Sequence, residues 1–511
     1  MQQPAIESTA RATAAFVVAL LVVVAGMPTA AAGTQGGAER PTLTDCRTID
    51  EPGEYTIRGN VTADGDCFAV TADGVTLDGG GHTIAGDGDW TAIIVADADG
   101  VTVRNVTLAN WSTGVALRGA ADARVLDTTV TGAAVDGVSI DGAYNATVRN
   151  STVTDASVGV RVRPGSDDAT VVGTEFVELY GPGVDLRGDD GRVVDSSFRS
   201  TGGAAVRVTA VDDALIANNT VRQTIGGISV AESAGVTVRA NTLRNVQGAS
   251  IRVAGDGDPE PVRNRPRPGH WDTGVTFVAP APADLLGDRS TGSADPAGDD
   301  SATPRQYVDV TLAVPTPPEP VRVVDNAVFD TNGNGIFVTN ATATTVAENL
   351  VVRSRDGVRI ANGSDATLRN NTARANRDDG ITVAASAEAT LRNNTVLDNA
   401  DDGLYVVSDD AVVLDTLARG NGDDGVDVQN STLVAIRGNG LFDNGDDGLL
   451  LRNVVNATVE LNEARGNGDD GIDLRGTENA VVVNNTLCGN TDLDLVERPS
   501  ANATAAENNA C

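Results

Sequence analysis

The chain has 511 residues, of which 41% are hydrophobic and only 3% aromatic, with 57 glycines and a formal charge of −34. All 37 basic residues are arginine, and so acidic and lysine-free a surface argues against nucleic acid as a partner, because phosphate binding needs a basic patch. The same balance suits a protein kept soluble in strong brine. Residues 1–32 read as an export signal. Arg11 precedes an apolar run from Ala12 to Ala25, and "TAAAG" at 29–33 offers a small-residue cleavage site. The run is short against the ~20 residues that cross a bilayer, so no membrane span is expected after its removal. The mature chain is expected outside the cell, secreted or at its surface.

Residues 33–73 read as an N-terminal cap holding Cys46 and Cys67, and residues 491–511 as a C-terminal cap ending in Cys511, close to Cys488. In an exported chain, four cysteines predict disulfides. Three pairings are possible, and proximity favours 46–67 and 488–511.

Between the caps the chain repeats itself. A marker residue, usually glycine, precedes a short apolar alternation at Gly114, Gly137, Gly159, Gly183, Ala205, Gly227 and Ser250, and again at Gly335, Gly357, Gly380, Gly403, Gly425, Gly448 and Gly471. One and three positions after each marker the residue is aliphatic, as in Val138 and Ile140 or Leu449 and Leu451, while the residues between vary. Period two means a strand with one buried face. A second strand follows in each repeat, as in "ATVRNST" (146–152) and "ATLRNNT" (366–372). Asparagine recurs fourteen residues after the marker, at Asn219, Asn241, Asn349, Asn371, Asn394, Asn439, Asn462 and Asn485. There it suits a left-handed turn, and its amide can pair with its counterpart one coil away. Repeats of 22–24 residues without helical period predict an all-β parallel β-helix of about 16 coils. The first set of coils spans 74–253 and the second 321–490. The proline-rich stretch 254–320 reads as an insertion loop between them.

The opening "CRTIDEPGEYTIRGNVTADGDCFAVTADGVTLDGGGHTIAG" (46–86), followed by "NNT" coils, resembles right-handed β-helix proteins of the pectin-lyase-like superfamily, most of all NosD-like carbohydrate-associated repeat domains. The resemblance covers about 43–253 and 321–490. It implies the fold, whereas that fold carries lyases, hydrolases, epimerases, adhesins and non-enzymatic accessory proteins. NosD itself is associated with copper-site maturation, but two methionines and two histidines leave too few soft ligands for copper. His82, in "GGGHTI", reads as part of a first-coil turn.

Two outward columns invite chemistry. Two positions after the marker, successive coils place Arg161, Asp185 and Arg207, and later Arg252; four positions after it come Asp141, Arg163 and Arg187. Such an arginine-rich face suits carboxylates, and predicts an acidic-polysaccharide site built from Arg161, Arg163, Arg187, Arg207 and Arg252. Trp271, His270 and Tyr307 of the insertion would lean over it. In polysaccharide lyases of the resembled superfamily, an arginine removes the proton α to a uronate carboxylate while calcium neutralises that carboxylate. That pattern would make Arg161, Arg187 or Arg207 the base and Asp141 and Asp185 metal ligands. A ladder of surface ion pairs is the alternative.

The second column is acidic. "DDG" occurs at Asp378/Asp379, Asp401/Asp402, Asp423/Asp424, Asp446/Asp447 and Asp469/Asp470, with Asp427 and Asp473 on the following strands. Stacked carboxylates raise one another's proton affinity or recruit hard cations such as calcium, and Asp379, Asp402, Asp424, Asp447 and Asp470 are the candidate ligands. Polygalacturonase-like hydrolases also use an aspartate pair, but theirs comes with a histidine motif and a lysine, and occurs once. A turn consensus that solvates the surface is the alternative. The sequence thus predicts a secreted β-helix that binds acidic polysaccharide without turnover. A lyase or hydrolase of uronate polymers, and a structural surface protein with a cation-stabilised aspartate column, stay open.

Overall fold

The computed structural model describes residues 41–255 and 320–498, with strand backbone at Thr504–Ala506 and Asn509–Ala510. The leader, Trp271, His270, Tyr307, nearly all of the insertion and Cys511 lie outside the described residues.

Each turn of chain contributes three short strands. In one coil these are Asp136–Asp141, Thr147–Arg149 and Thr152–Thr154. Each pairs in parallel with its counterpart one coil on: Val138 with Val160, Val148 with Val171, Val153 with Phe176. Among the described residues this stacks three parallel sheets of 19, 18 and 18 strands, which makes the chain a parallel β-helix. The sheet that carries the residues after each marker glycine is here called the marker sheet; the second and third sheets follow it in chain order. Strand pairing already begins at Thr42–Leu43 and Arg47–Ile49 and runs on past Leu495–Arg498.

The single strand expected at 146–152 is two strands. Asn150 breaks it, with a φ of 51°, and the next corner falls at Asp155, with a φ of 54°. Asparagine and aspartate tolerate that left-handed conformation because their short polar side chains bond locally. The recurring asparagine is not itself the left-handed residue; the one before it is, as at Asn218, Asn370 and Asn393. Asn219, Asn371 and Asn394 are instead buried and form an amide ladder. Asn371 Nδ2 donates to Asn394 Oδ1 at 3.1 Å and to Val346 O at 2.8 Å. The ladder spans the insertion: Asn241 Nδ2 donates to Asn326 Oδ1 at 3.0 Å, and Asn326 to Asn349. Register is likewise unbroken, with Thr242 beside Ala327 and Ile251 beside Ile336.

The marker glycine has a packing reason. A Cβ on Gly403 would lie 2.5 Å from the Gly425 carbonyl oxygen and 2.7 Å from Asn421 Nδ2, distances that real Cβ atoms do not show. The inward aliphatic positions are fully buried along the whole marker sheet, from Ile93 to Leu474.

Cys46 and Cys67 are bonded, and Cys488 is also in a disulfide. The first bond closes a separation of 21 residues across the first coils, and loop-closure entropy gives such a loop ~3 kcal/mol. In a solenoid each coil contacts only its neighbours. Cys67→Ser is therefore expected to speed proteolysis and amide exchange in residues 42–70 while leaving the coils after 400 unchanged.

Candidate functional site

Each "NxDDG" motif divides its labour. Its asparagine joins a second buried ladder: Asn399 donates to Asn421, Asn421 to Asn444 and Asn444 to Asn467, at 2.9, 3.0 and 3.0 Å. The first aspartate is exposed or half-buried, whereas the second is buried: Asp424 is 3% exposed and Asp447 0%. The second aspartate is held by the turn. One oxygen of Asp402 accepts from the Asp424 N–H at 3.0 Å, and one of Asp424 from the Asp447 N–H at 2.8 Å. Their other oxygens take no protein donor among the described residues.

These inner aspartates open onto a groove of about 360 Å³ on the outward face of the marker sheet, lined also by Thr382, Tyr405 and Asp427. Burial, reinforced by neighbouring carboxylates, pushes Asp402 up to about 9 and Asp424 to about 8. It also brings Asp379 and Asp447 to about 7. Burial raises Asp427 as well.

The two ends of the column are neutralised by guanidinium groups. Arg475 bridges Asp473 and Asp447, and Arg498 bridges Asp470 and Asp473 at 3.1 and 3.2 Å. At the other end Arg359 and Arg355 reach Asp356 at 3.3 and 3.7 Å. The middle has no such partner. Gln429 and Arg452 stand in register with Arg475 and Arg498. Gln429 only donates to one Asp427 oxygen, at 2.5 Å. Arg452 forms no ion pair among the described residues. Asp427 is 4% exposed, and its Oδ1 has no hydrogen-bond partner among the described residues, as is true of one oxygen of Asp356 and of Asp473 at the two ends.

The middle of the groove therefore holds three buried acids, Asp402, Asp424 and Asp427, that form no ion pair among the described residues, although Arg452 lines the same groove and attracts Asp427 through space. Oxygens of Asp401, Asp402 and Asp423 lie within 4.8 Å of one another, as do those of Asp423, Asp424 and Asp446. That is roughly twice a ~2.4 Å calcium–oxygen bond. An all-oxygen, carboxylate-rich set fits a hard divalent ion and not a soft one.

The arginine face has a different character. Arg161, Asp185 and Arg207 are neighbours in register, as the spacing predicted. Asp136, which the sequence did not single out, completes a closed set: Arg161 donates to Asp136 at 2.9 Å and to Asp185 at 3.1 Å. Arg187 pairs with Asp185 at 3.3 Å, and exposed Arg163 with exposed Asp141 at 3.6 Å. Much of the positive charge there is already answered within the chain. Arg207 and Arg252 lie half-buried on the same column. His82 sits in a first-coil turn, its N–H bonded to the Gly79 carbonyl. Of the groove residues, Tyr405, Thr382, Gln429 and Arg452 carried no sequence signal by themselves. The absence of an arginine at 429, where later coils have Arg452 and Arg475, was the available clue.

The pattern of the right handed beta helix region matches residues 91–265, 319–445 and 416–510. Among solved structures, an alginate lyase from Paenibacillus sp. str. FPU-7 is 19% identical with a TM-score of 0.36, over 41% of this chain and 86% of that one. Pectate lyase Pel9A is 20% identical with a TM-score of 0.32, over 38% of this chain and 62% of that one, less than two thirds of its length. The catalytic unit of a GH87 α-1,3-glucanase from Streptomyces thermodiastaticus strain HF3-3 is 12% identical with a TM-score of 0.37, over 84% and 64%. No curated protein matches in sequence.

Proposed function

From the premise that the chain belongs to the right-handed β-helix family, we propose that it is an exported carbohydrate-binding protein whose marker-sheet groove works through a bound divalent cation. The observation that carries this is the uncompensated trio Asp402, Asp424 and Asp427, one oxygen of which is buried without a partner, in coils where the flanking turns use arginine for the same purpose. Calcium takes 6–8 oxygen ligands in flexible geometry. Here it would draw on the trio and on the exposed Asp401 and Asp423, with positions left for water or ligand.

A cation so placed joins an acidic polymer to an acidic protein, which the ion-paired arginines at 161 and 187 serve less well. Half-buried Tyr405 offers a ring face beside it. Coils spaced ~4.8 Å apart present one set of groups for each sugar ring of a chain laid along the axis. The leader at 1–32 and the cysteine pairs support an extracellular place.

Calorimetric titration with calcium chloride at fixed ionic strength tests the cation. Binding is expected in the native protein and about tenfold or more weaker in Asp427→Asn, with calcium strengthening retention on a polygalacturonate matrix in the native protein and not in the variant. An absence of calcium binding, or an Asp427→Asn variant that binds like the parent, overturns the reading. One observation favours turnover as a second reading. Asp402, held protonated at neutral pH, is what a general acid requires. New reducing ends or unsaturated products in the same incubations, lost in Asp402→Asn, would decide for it.

A further inference from the structure

A different face carries a site of opposite charge. Third-sheet strands Ser197–Arg199, Thr220–Arg222, Thr242–Arg244 and Ala327–Phe329 stack in order. Arg199, Arg222, Arg244 and Phe329 are consecutive register partners. The middle residues of the first three, Phe198, Val221 and Leu243, are buried, so the arginines point outward, and all three are exposed. Three guanidinium groups thus follow one another at the coil spacing of ~4.8 Å.

Among the described residues none of the three forms an ion pair. The Arg244 guanidinium lies 5.0 Å from the Phe329 ring and attracts Asp330, at the end of the stripe, through space. Elsewhere in this column Arg419 is answered by the corner residue Asp443 at 3.0 Å and Arg465 by Glu463; Arg374 forms no ion pair among the described residues but stands alone, between Val352 and Leu397. Beside the stripe the corner residues are Ser200, Gln223 and Asn245, and the first strand residues are Ser197, Thr220 and Thr242. In a chain with 71 acidic and 37 basic residues, both flanks of the stripe are neutral and rich in hydroxyl and amide groups. Acids return where it ends, at Glu175 and Glu178 on one side and Asp330 on the other.

We propose that Arg199, Arg222 and Arg244 form a binding stripe for an acidic glycan carrying carboxylate or sulfate groups. Like charges at this spacing repel unless an anion lies between them, and guanidinium forks bind both groups bidentately. Three rungs bounded by acids take a short stretch with two or three anionic groups, while the flanking hydroxyls and amides meet sugar hydroxyls. A nucleic acid would look here for an open aromatic platform, and Phe329 is covered by Arg244.

The stripe is independent of the cation groove, so the test is run in chelator, where the groove contributes nothing. Immobilised dextran sulfate and polygalacturonate are compared with neutral dextran and an RNA homopolymer, at one salt concentration. The native protein is expected on one or both acidic glycans, and the better of the two names the anionic group. Arg199→Gln/Arg222→Gln should bind at least about tenfold more weakly, with Arg437→Gln, from an ion pair on the second sheet, binding like the parent. No retention on either acidic glycan, equal retention of the double variant, or equal capture by RNA or neutral dextran overturns the proposal.

Discussion

In chelator, the melting temperature of this protein is expected to fall by ~10 °C or more between pH 5 and pH 9, and saturating calcium at fixed ionic strength should remove most of that fall. The groove dictates the sign. An unfolded aspartate titrates near 3.8, whereas folded Asp379 and Asp447 titrate at about 7, Asp424 at about 8 and Asp402 at about 9. A carboxyl raised in this way binds its proton more tightly when folded. Its contribution is fully present below pH 3.8 and is lost as pH climbs through the folded values.

Even two units at one such acid correspond to ~3 kcal/mol. Salt screens the mutual repulsion but not the burial, which is the larger cause of the shifts. At the acid end other groups run the opposite way. Asp330, hydrogen-bonded to Arg353, is held below its ordinary value, so its stabilisation is lost as pH falls below 3.8, and greatest stability is expected near pH 4. Calcium competes with protons for the same oxygens and should matter most at high pH. Asp402→Asn should raise the pH 9 melting temperature in chelator and blunt the calcium effect. A flat profile from pH 5 to 9, or a profile that Asp402→Asn leaves unaltered, would count against the buried trio.

The second large effect concerns two adjacent asparagines. Asn394→Ala is expected to destabilise the middle coils by ~3–5 kcal/mol, and Asn393→Ala by no more than ~1 kcal/mol. Asn394 accepts from both the backbone N–H and the side-chain amide of Asn371, at 3.0 and 3.1 Å, and donates to the Leu368 carbonyl at 2.9 Å. Truncation takes the partner from the Asn371 N–H, a donor from the Leu368 carbonyl, and leaves the Asn371 amide with Val346 alone. Asn393 has a φ of 52° and lies exposed at the corner, so its loss costs only a preference for that conformation. Denaturant unfolding of the two variants checks the contrast. Equal losses would mean that the ladder adds nothing beyond the turn.

That contrast also marks what the sequence could show. The aliphatic pair after each marker glycine repeats because one face of the strand is always buried, so the fold was legible from spacing alone. "NNT" was visible as a consensus, but which asparagine turns the chain and which bonds along the axis depends on corners that residue types leave ambiguous. The same ambiguity hid the third strand. The groove was less legible still. Five "DDG" turns look alike in the chain, and what separates the middle one is whether Gln429 or Arg475 stands beside it one coil away. Arg199, Arg222 and Arg244 likewise become neighbours only once the register is known.

The unbroken step from Asn241 to Asn326 has a consequence for how such a rod can change. The chain departs after Gly255 and rejoins at Val321, yet the coils on either side stack as if nothing stood between them. Lengthening an excursion of this kind costs little, ~0.6 kcal/mol for each doubling, because no core residue moves to accommodate it. The junction is therefore a port for cargo: lineages or designers can exchange whatever is spliced there while the scaffold keeps its rise, its ladders and the faces it displays.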